Sequence, residues 1–276
     1  MYYFLFRWFP KRGFSRCMGW LADRAWPRPV MAAVIGLYRR VYRIDMADFA
    51  TPPGGFRTFT AFFTRGLRPG ARPVTTDAAA IVSPVDGAVV EAGAIREGRL
   101  LQAKGHAFSL EALLGGDANW RAYEGGSFIT LYLSPRDYHR IHTPCAGSVT
   151  RFRHVPGDLW TVGPAGVNGV PGLFARNERL ISFLDTALGE VAVVKVGATV
   201  VGRVKVVYHD ITTNRPGQGV TAETIAPPHA LAAGAELGRF ELGSTVILLL
   251  PPGTAALEPF ASGDTVRMGQ TIGRRA

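Results

Sequence analysis

The chain reads as an α+β protein, a β-rich core with amphipathic helices gathered at the N-terminus. Near its start, apolar residues recur at a helical period. From residue 80 onward they fall instead into short Val/Ile-rich runs bounded by Gly or Pro. With 276 residues and 47% hydrophobic content, the chain can fill one large domain or two small ones, and global disorder is excluded.

The first nine residues, MYYFLFRWF, are aromatic and apolar but broken by Arg7, and no small-residue cleavage site follows, which speaks against a secretory signal. From Val30 the apolar positions are Val30, Val34, Leu37, Tyr38, Val41 and Ile44, with Arg39, Arg40 and Arg43 on the other side. This spacing predicts a basic amphipathic helix. The charge-free run 29–38 falls well short of the ~18–20 residues that a spanning helix requires. Residues 1–43 hold nine Lys/Arg and one acid, Asp23, so +8 of the formal +10 lies there and the remainder is nearly neutral. An anionic lipid surface attracts such a local device, and the neutral remainder argues against a nucleic-acid-binding core. Residues 1–50 are therefore expected to form a membrane-associating helical segment, with Trp8, Trp20 and Trp26 at headgroup depth. The competing expectation is a helical hairpin packed on the rest of the protein. Cys17 and Cys145 are far apart in sequence and form neither a disulfide framework nor a metal pattern, which fits a reducing compartment.

Thr51-Pro-Pro-Gly-Gly55 punctuates the chain and marks the boundary of a β-rich unit, 51–276. A short helix carrying Phe56, Phe59, Phe62 and Phe63 is predicted before Pro69-Gly70. Strands are predicted over 80–92, 100–104, 127–134, 148–154, 191–209, 245–250 and 265–272, with one helix at 109–114. The run 191–209 reads as two strands hinged at Gly197 or Gly202.

Three polar constellations interrupt this pattern. Gly243-Ser244 precedes the apolar run 245–250, so a small nucleophile sits at a strand entrance behind an unusually accessible peptide bond. A serine hydroxyl needs a base to take its proton. Asp86 lies in the turn Ser-Pro-Val-Asp-Gly, where Asp-Gly alone is a strong hairpin signal. The third is Leu-Ser-Pro-Arg-Asp-Tyr-His-Arg-Ile-His-Thr-Pro-Cys, ending at Cys145, which places His139 and His142 three apart after a strand. Either histidine could be the base for Ser244, oriented by a carboxylate such as Asp86. As metal ligands the pair lacks an obvious third partner beyond Asp137, and no metal is expected.

Taken together and in this order, these motifs resemble the bacterial type of phosphatidylserine decarboxylase, with Pro156-Gly-Asp-Leu and Leu173-Phe-Ala-Arg-Asn-Glu-Arg179 between them. The resemblance runs from about Phe56 to the C-terminus. It implies a proenzyme in which Asp86, His142 and Ser244 form a triad for cleavage between Gly243 and Ser244. The implied products are a large chain, 1–243, and a small chain, 244–276, which stay associated. It further implies that Ser244 becomes a pyruvoyl group and forms a Schiff base with phosphatidylserine, giving phosphatidylethanolamine and CO2, with His139 serving the decarboxylation and no metal. The Gly-rich stretch 160–172 is less polar than the family pattern. The absence of a targeting segment fits a bacterial protein held peripherally on the cytoplasmic face of the cell membrane. A different class, a non-enzymatic β-sandwich carrier or lipid-surface module, is the alternative, since such turns also occur in carrier domains. No Met-Lys-Met acceptor supports it. A serine hydrolase would need a Gly-x-Ser-x-Gly elbow, which Ser244 lacks. The residues leave the oligomeric state open.

Overall fold

The computed structural model describes residues 10–103, 106–200, 203–241 and 244–276. The expectations for residues 1–9, Trp8 among them, and for Gly202 and Gly243 fall outside that range.

Three helices precede the sheets: α1 (Lys11–Asp23), α2 (Arg28–Tyr42) and α3 (Phe59–Phe63). Pro29 opens α2, where its missing N–H costs nothing, and Arg43 closes it in the left-handed conformation. Thr58 caps α3 by accepting the Ala61 N–H at 3.0 Å. Helix α2 carries two apolar stripes. Met31 and Ile35 are buried against Phe62 and Ile44. Of the stripe predicted from the sequence, Val30, Val34, Leu37 and Val41 face outward, 47%, 46%, 63% and 63% exposed, whereas Tyr38 packs on the core and Ile44 is buried in it. One period fits both stripes because the helix is apolar around more than half its circumference. The buried positions of α1 are Lys11, Ser15, Gly19 and Ala22, one per turn. That face lies on the β unit, where Ser15 Oγ accepts the Val200 N–H at 3.0 Å and Asp23 takes the Arg203 guanidinium at 2.6 and 2.9 Å.

The β unit begins with β1 (Ala80–Val82), β2 (Gly87–Ala94), the hairpin β3 (Arg99–Ala103) and β4 (His106–Ser109), and β5 (Ser127–Leu133). It continues with β6 (Arg140–His142), β7 (Gly147–Val155), β8 (Arg179–Thr186), β9 (Gly189–Val196), β10 (Val204–Val206), β11 (Thr221–Leu231) and β12 (Glu236–Phe240). The last strands are β13 (Ser244–Leu250), β14 (Ala255–Leu257), β15 (Thr265–Val266) and β16 (Thr271–Arg275). An eight-stranded antiparallel sheet of order β11-β7-β8-β9-β13-β5-β2-β15 forms the body, and β1-β16-β14 and β10-β12-β6 form two smaller sheets. Strand β13 is central, paired with β9 on one side and β5 on the other. Ile247 and Leu249 enter one core with Phe128 and Val194, and Val246, Leu248 and Leu250 enter the opposite core with Leu131 and Val193. Burial on both faces explains why this strand reads as an unbroken apolar run.

The run 80–92 divides at the Ser-Pro-Val-Asp-Gly turn, and the Asp-Gly pair is no hairpin: β1 pairs with β16, whereas β2 pairs with β5 and β15. Gly87 is required for close approach instead, since a Cβ there would stand 2.6 Å from the Tyr132 carbonyl oxygen. Strands β4, β6, β8, β11, β12 and β14 have no counterpart among the predicted runs. Strand β11 contains Pro227 and Pro228 and lies at a sheet edge, the position where proline is tolerated.

The helix packing yields a stability contrast. Phe62→Ala, which empties a fully buried site between α2 and α3, should cost about 3–5 kcal/mol. Leu37→Ala on the outward stripe should change the urea midpoint by less than about 0.5 kcal/mol equivalent. Equal losses in the two variants would mean that both stripes are packed.

Candidate active site

Backbone pairing brings the three polar motifs together. Leu133, the last residue of β5, stands opposite Ser244 in register. The next four residues turn: Asp137 N–H donates to the Ser134 carbonyl at 2.9 Å, and the Asp137 carboxylate accepts both the N–H and the Oγ–H of Ser134 at 2.7 Å. Asp137 therefore serves its own turn. The chain returns as β6 alongside β12, and Phe240 N–H donates to the His139 carbonyl at 3.0 Å. The two histidines thus flank the segment that leads into Ser244. Pro84, in the turn of Asp86, accepts the His142 N–H at 2.8 Å.

The side chains make different contacts from those expected. Asp86 accepts Arg72 Nε at 3.0 Å, Arg72 Nη2 at 2.6 Å and the Met268 N–H at 2.8 Å. A second carboxylate, Asp48, holds Arg72 Nη1 at 2.6 Å. His142 Nδ1 lies 2.7 Å from the Gly234 carbonyl, which can only accept, so Nδ1 carries the proton and Nε2 accepts the Tyr138 hydroxyl at 3.0 Å. His139 Nδ1 likewise donates to the Asp137 carbonyl at 2.8 Å. Its Nε2 and the hydroxyl of Ser244 are both buried, and neither has a hydrogen-bond partner among the described residues.

The expected chain of hydrogen bonds from Asp86 through His142 to Ser244 is therefore not formed in the structure. Its absence has a physical cause. Both ring nitrogens of His142 are saturated by nearer partners, and Asp86 is drawn to a guanidinium, the stronger charge-assisted partner. Burial lowers the basicity of the His142 ring and outweighs the groups that favour its protonation, which are the Gly234 carbonyl, then Glu236, and least Asp86.

A cavity of about 660 Å³ opens beside Ser244. Phe63, Tyr132, Val162 and Val200 form part of its wall, and Met18, Leu21, Val30 and Val34 of α1 and α2 bring it to the outward apolar stripe. Phe63 also packs on the His139 ring, with centroids 4.1 Å apart. The wall at Thr161 and Gly163 is held by the Pro-Gly-Asp-Leu and Asn-Glu-Arg motifs. Asn177 accepts the Trp160 N–H at 3.0 Å and donates to the Trp160 and Gly197 carbonyls at 2.8 Å, while the Arg179 guanidinium donates to the Leu113 carbonyl at 2.6 Å and the Asn177 carbonyl at 2.8 Å. Gly166, in the Gly-rich stretch, must lack a side chain, because a Cβ would overlap the Thr161 carbonyl.

The family model described as phosphatidylserine decarboxylase matches residues 59–274. The chain belongs to this family. A phosphatidylserine decarboxylase proenzyme of Anaeromyxobacter sp. (strain K) is 48% identical over 274 residues, covering 98% of this chain and 96% of the relative. Those of Methylibium petroleiphilum and Myxococcus xanthus are 46% and 42% identical, covering 95% and 96% of this chain and 93% and 94% of the relatives. Within this family frame, sequence reasoning missed Arg72, Tyr138 and the Gly234 carbonyl. Tyr138 lay inside a quoted motif, and its spacing of four from His142 was a usable signal. Arg72 reads as an ordinary basic residue after a Phe-rich helix.

Burial lowers the basicity of both histidines, to a pKa of about 3 for His139. The unfolded chain takes up protons on both as pH falls through about 6.5, whereas native His139 stays neutral until about pH 3. The unfolded state thus binds more protons, and stability falls as pH drops below about 6.5, by up to about 1.4 kcal/mol per pH unit for each such histidine. His139→Gln should flatten the slope of unfolding free energy against pH, between about pH 6 and 4, by roughly that amount. An unaltered slope would show that native His139 is already protonated there.

Proposed function

We propose that the chain is a phosphatidylserine decarboxylase proenzyme that cuts itself between Gly243 and Ser244 and converts residue 244 into a pyruvoyl group. The observation that carries this reading is Ser244 itself: a buried, unpaired hydroxyl at a strand entrance on the wall of a lipid-sized apolar cavity. The name proenzyme, carried by the relatives, supports it. A residue that must first attack its own backbone and then meet a lipid needs both a free hydroxyl and an open apolar approach, and Ser244 has both.

In self-cleavage a base takes the Ser244 Oγ proton, and the oxygen attacks the carbonyl carbon of Gly243, exchanging the amide for an ester. Removal of the Cα proton of residue 244 breaks the Cβ–O bond and releases the Gly243 carboxylate. The dehydroalanine left behind adds water and loses ammonia, which leaves the ketone. Bound to the headgroup amine, that ketone supplies the electron sink for loss of CO2. His139 Nε2, a free lone pair, can take a proton from the headgroup ammonium and return it to carbon after CO2 departs.

On the triad reading His142 is the base for self-cleavage, held by the field of Asp86, and its Nε2 must exchange the Tyr138 hydroxyl for Ser244 Oγ. A second reading makes His139 that base, because its Nε2 and the Ser244 hydroxyl are both without partners. Intact-mass measurement separates the two. Ser244→Ala should leave one full-length chain. Under the triad reading His142→Ala does the same, while His139→Ala is cut but decarboxylates phosphatidylserine about 10²–10⁴-fold more slowly. A cut His142→Ala with an uncut His139→Ala would transfer the role to His139. A wild-type chain that stays whole would end the proenzyme reading.

No helix among the described residues is long and apolar enough to cross a membrane. We place the protein peripherally, with Trp20 (55% exposed), Trp26 (46% exposed) and the outward stripe of α2 seated in an anionic bilayer, on the cytoplasmic face. Leu37→Glu with Val41→Glu should abolish sedimentation with phosphatidylserine vesicles while leaving the unfolding midpoint within about 1 kcal/mol of wild type. Retained vesicle binding in that double variant would move the docking face elsewhere.

A further inference from the structure

Arg65 follows α3 and is 2% exposed, yet among the described residues it has no carboxylate partner. Its guanidinium lies over the rings of Phe49 at 4.0 Å and Phe62 at 5.1 Å. Nη2 donates to two consecutive carbonyls, those of Arg136 at 3.0 Å and Asp137 at 3.4 Å. Nε has no partner among the described residues, and burial lowers the guanidinium's pKa to about 10. An apolar side chain of similar volume would fill this space without the desolvation that a buried cation suffers. Packing therefore gives no account of why an arginine stands there.

The contacts of the fork supply one. The Asp137 carbonyl that Arg65 touches is the same one that accepts His139 Nδ1–H. That acceptor decides which ring nitrogen carries the proton. From the same turn of chain, Phe63 packs on the imidazole. We propose that Arg65 is a positioning residue for His139: by anchoring the consecutive Arg136 and Asp137 carbonyls it holds the ring in the Nδ1–H form and keeps the Nε2 lone pair unbonded for the reaction at residue 244. The proposal rests on the role given to His139 above. Arg65 also opposes protonation of the ring by its charge, a contribution secondary to burial. It is the one charge acting on that ring among the described residues. Phe63 and Phe240, against the same segment, carry none, and the Asp137 carboxylate is turned to Ser134.

Arg65→Met keeps the length and apolar contacts but removes the fork and the charge, and Arg65→Lys keeps the charge while losing the planar fork. Histidine-labelled protein, read by two-bond 1H–15N correlation across pH, reports the His139 tautomer directly. In the wild type, His139 should remain Nδ1-protonated from about pH 5 to 8. In Arg65→Met, signal from the Nε2–H form should appear and the titration midpoint should move upward. Arg65→Lys should restore the midpoint but not the single tautomer. On processed enzyme with phosphatidylserine in detergent micelles, both variants should lose kcat on the order of 10²-fold, with KM little changed. The melting temperature of Arg65→Met should equal or exceed the wild type. A wild-type His139 spectrum in Arg65→Met would overturn the proposal. So would a loss of kcat that tracks a fall in melting temperature and is rescued by cooling. An altered spectrum with full kcat would leave the positioning of the ring standing and remove His139 from the decarboxylation.

Discussion

The two-sided pairing of strand β13 is the constraint on which the rest of this structure depends. Its seven residues are all buried; all seven pair with β5 on one side and Thr245 to Leu249 pair with β9 on the other, and the strand's side chains feed both hydrophobic cores. Ser244 is the first of them, so its backbone is fixed by the most deeply embedded element in the protein. If the peptide before it is cut, the fold loses one covalent bond and no strand pairing. The new chain end lies in the middle of a sheet, where leaving would require separating both neighbours. A break at this point is thus compatible with a permanently associated pair of chains, which a break in an edge strand would not be.

Around that strand, polar side chains do work that the apolar cores cannot. Asp48, Arg72 and Asp86 form a bridge from the segment after α2 to the loop before β16, with the Met268 N–H closing it. Asn177 and Arg179 fasten the cavity wall through backbone carbonyls. Each satisfies groups that would otherwise be buried without partners. Among the buried polar atoms of the described residues that remain unmatched, the Ser244 hydroxyl and His139 Nε2 belong to motifs that the sequence marks.

Much of the fold was legible because it follows periodicity. The α+β class, the outward stripe of α2, and the strands at 127–133 and 244–250 came from residue spacing alone. Strands β8 and β11 did not. Polar groups interrupt the first, with Arg179 and Ser182 buried and Asp185 exposed near the strand's end, and two prolines disguise the second. The candidate site was legible as a set of residues, since Asp86, His139, His142 and Ser244 stand in recognisable motifs and backbone pairing gathers those motifs. Its hydrogen-bond pattern was not legible. The Gly234 carbonyl, the Arg72 guanidinium and the Tyr138 hydroxyl compete for the same atoms, and only three-dimensional distance decides that competition. The cavity was invisible for the same reason, being lined by residues from segments far apart in the chain.

On the peripheral reading, the double stripe of α2 has a kinetic meaning. Val30 and Val34 belong at once to the exposed face and to the cavity wall, so the apolar surface is continuous from outside to Ser244. A lipid would then slide from the bilayer to residue 244 without its chains entering water, sparing about 0.8 kcal/mol for each CH2 that would otherwise be exposed. Encounter then becomes diffusion in two dimensions. The concentration that governs turnover is the mole fraction of substrate within the surface, and diluting the vesicles in buffer would leave the rate per bound enzyme unchanged.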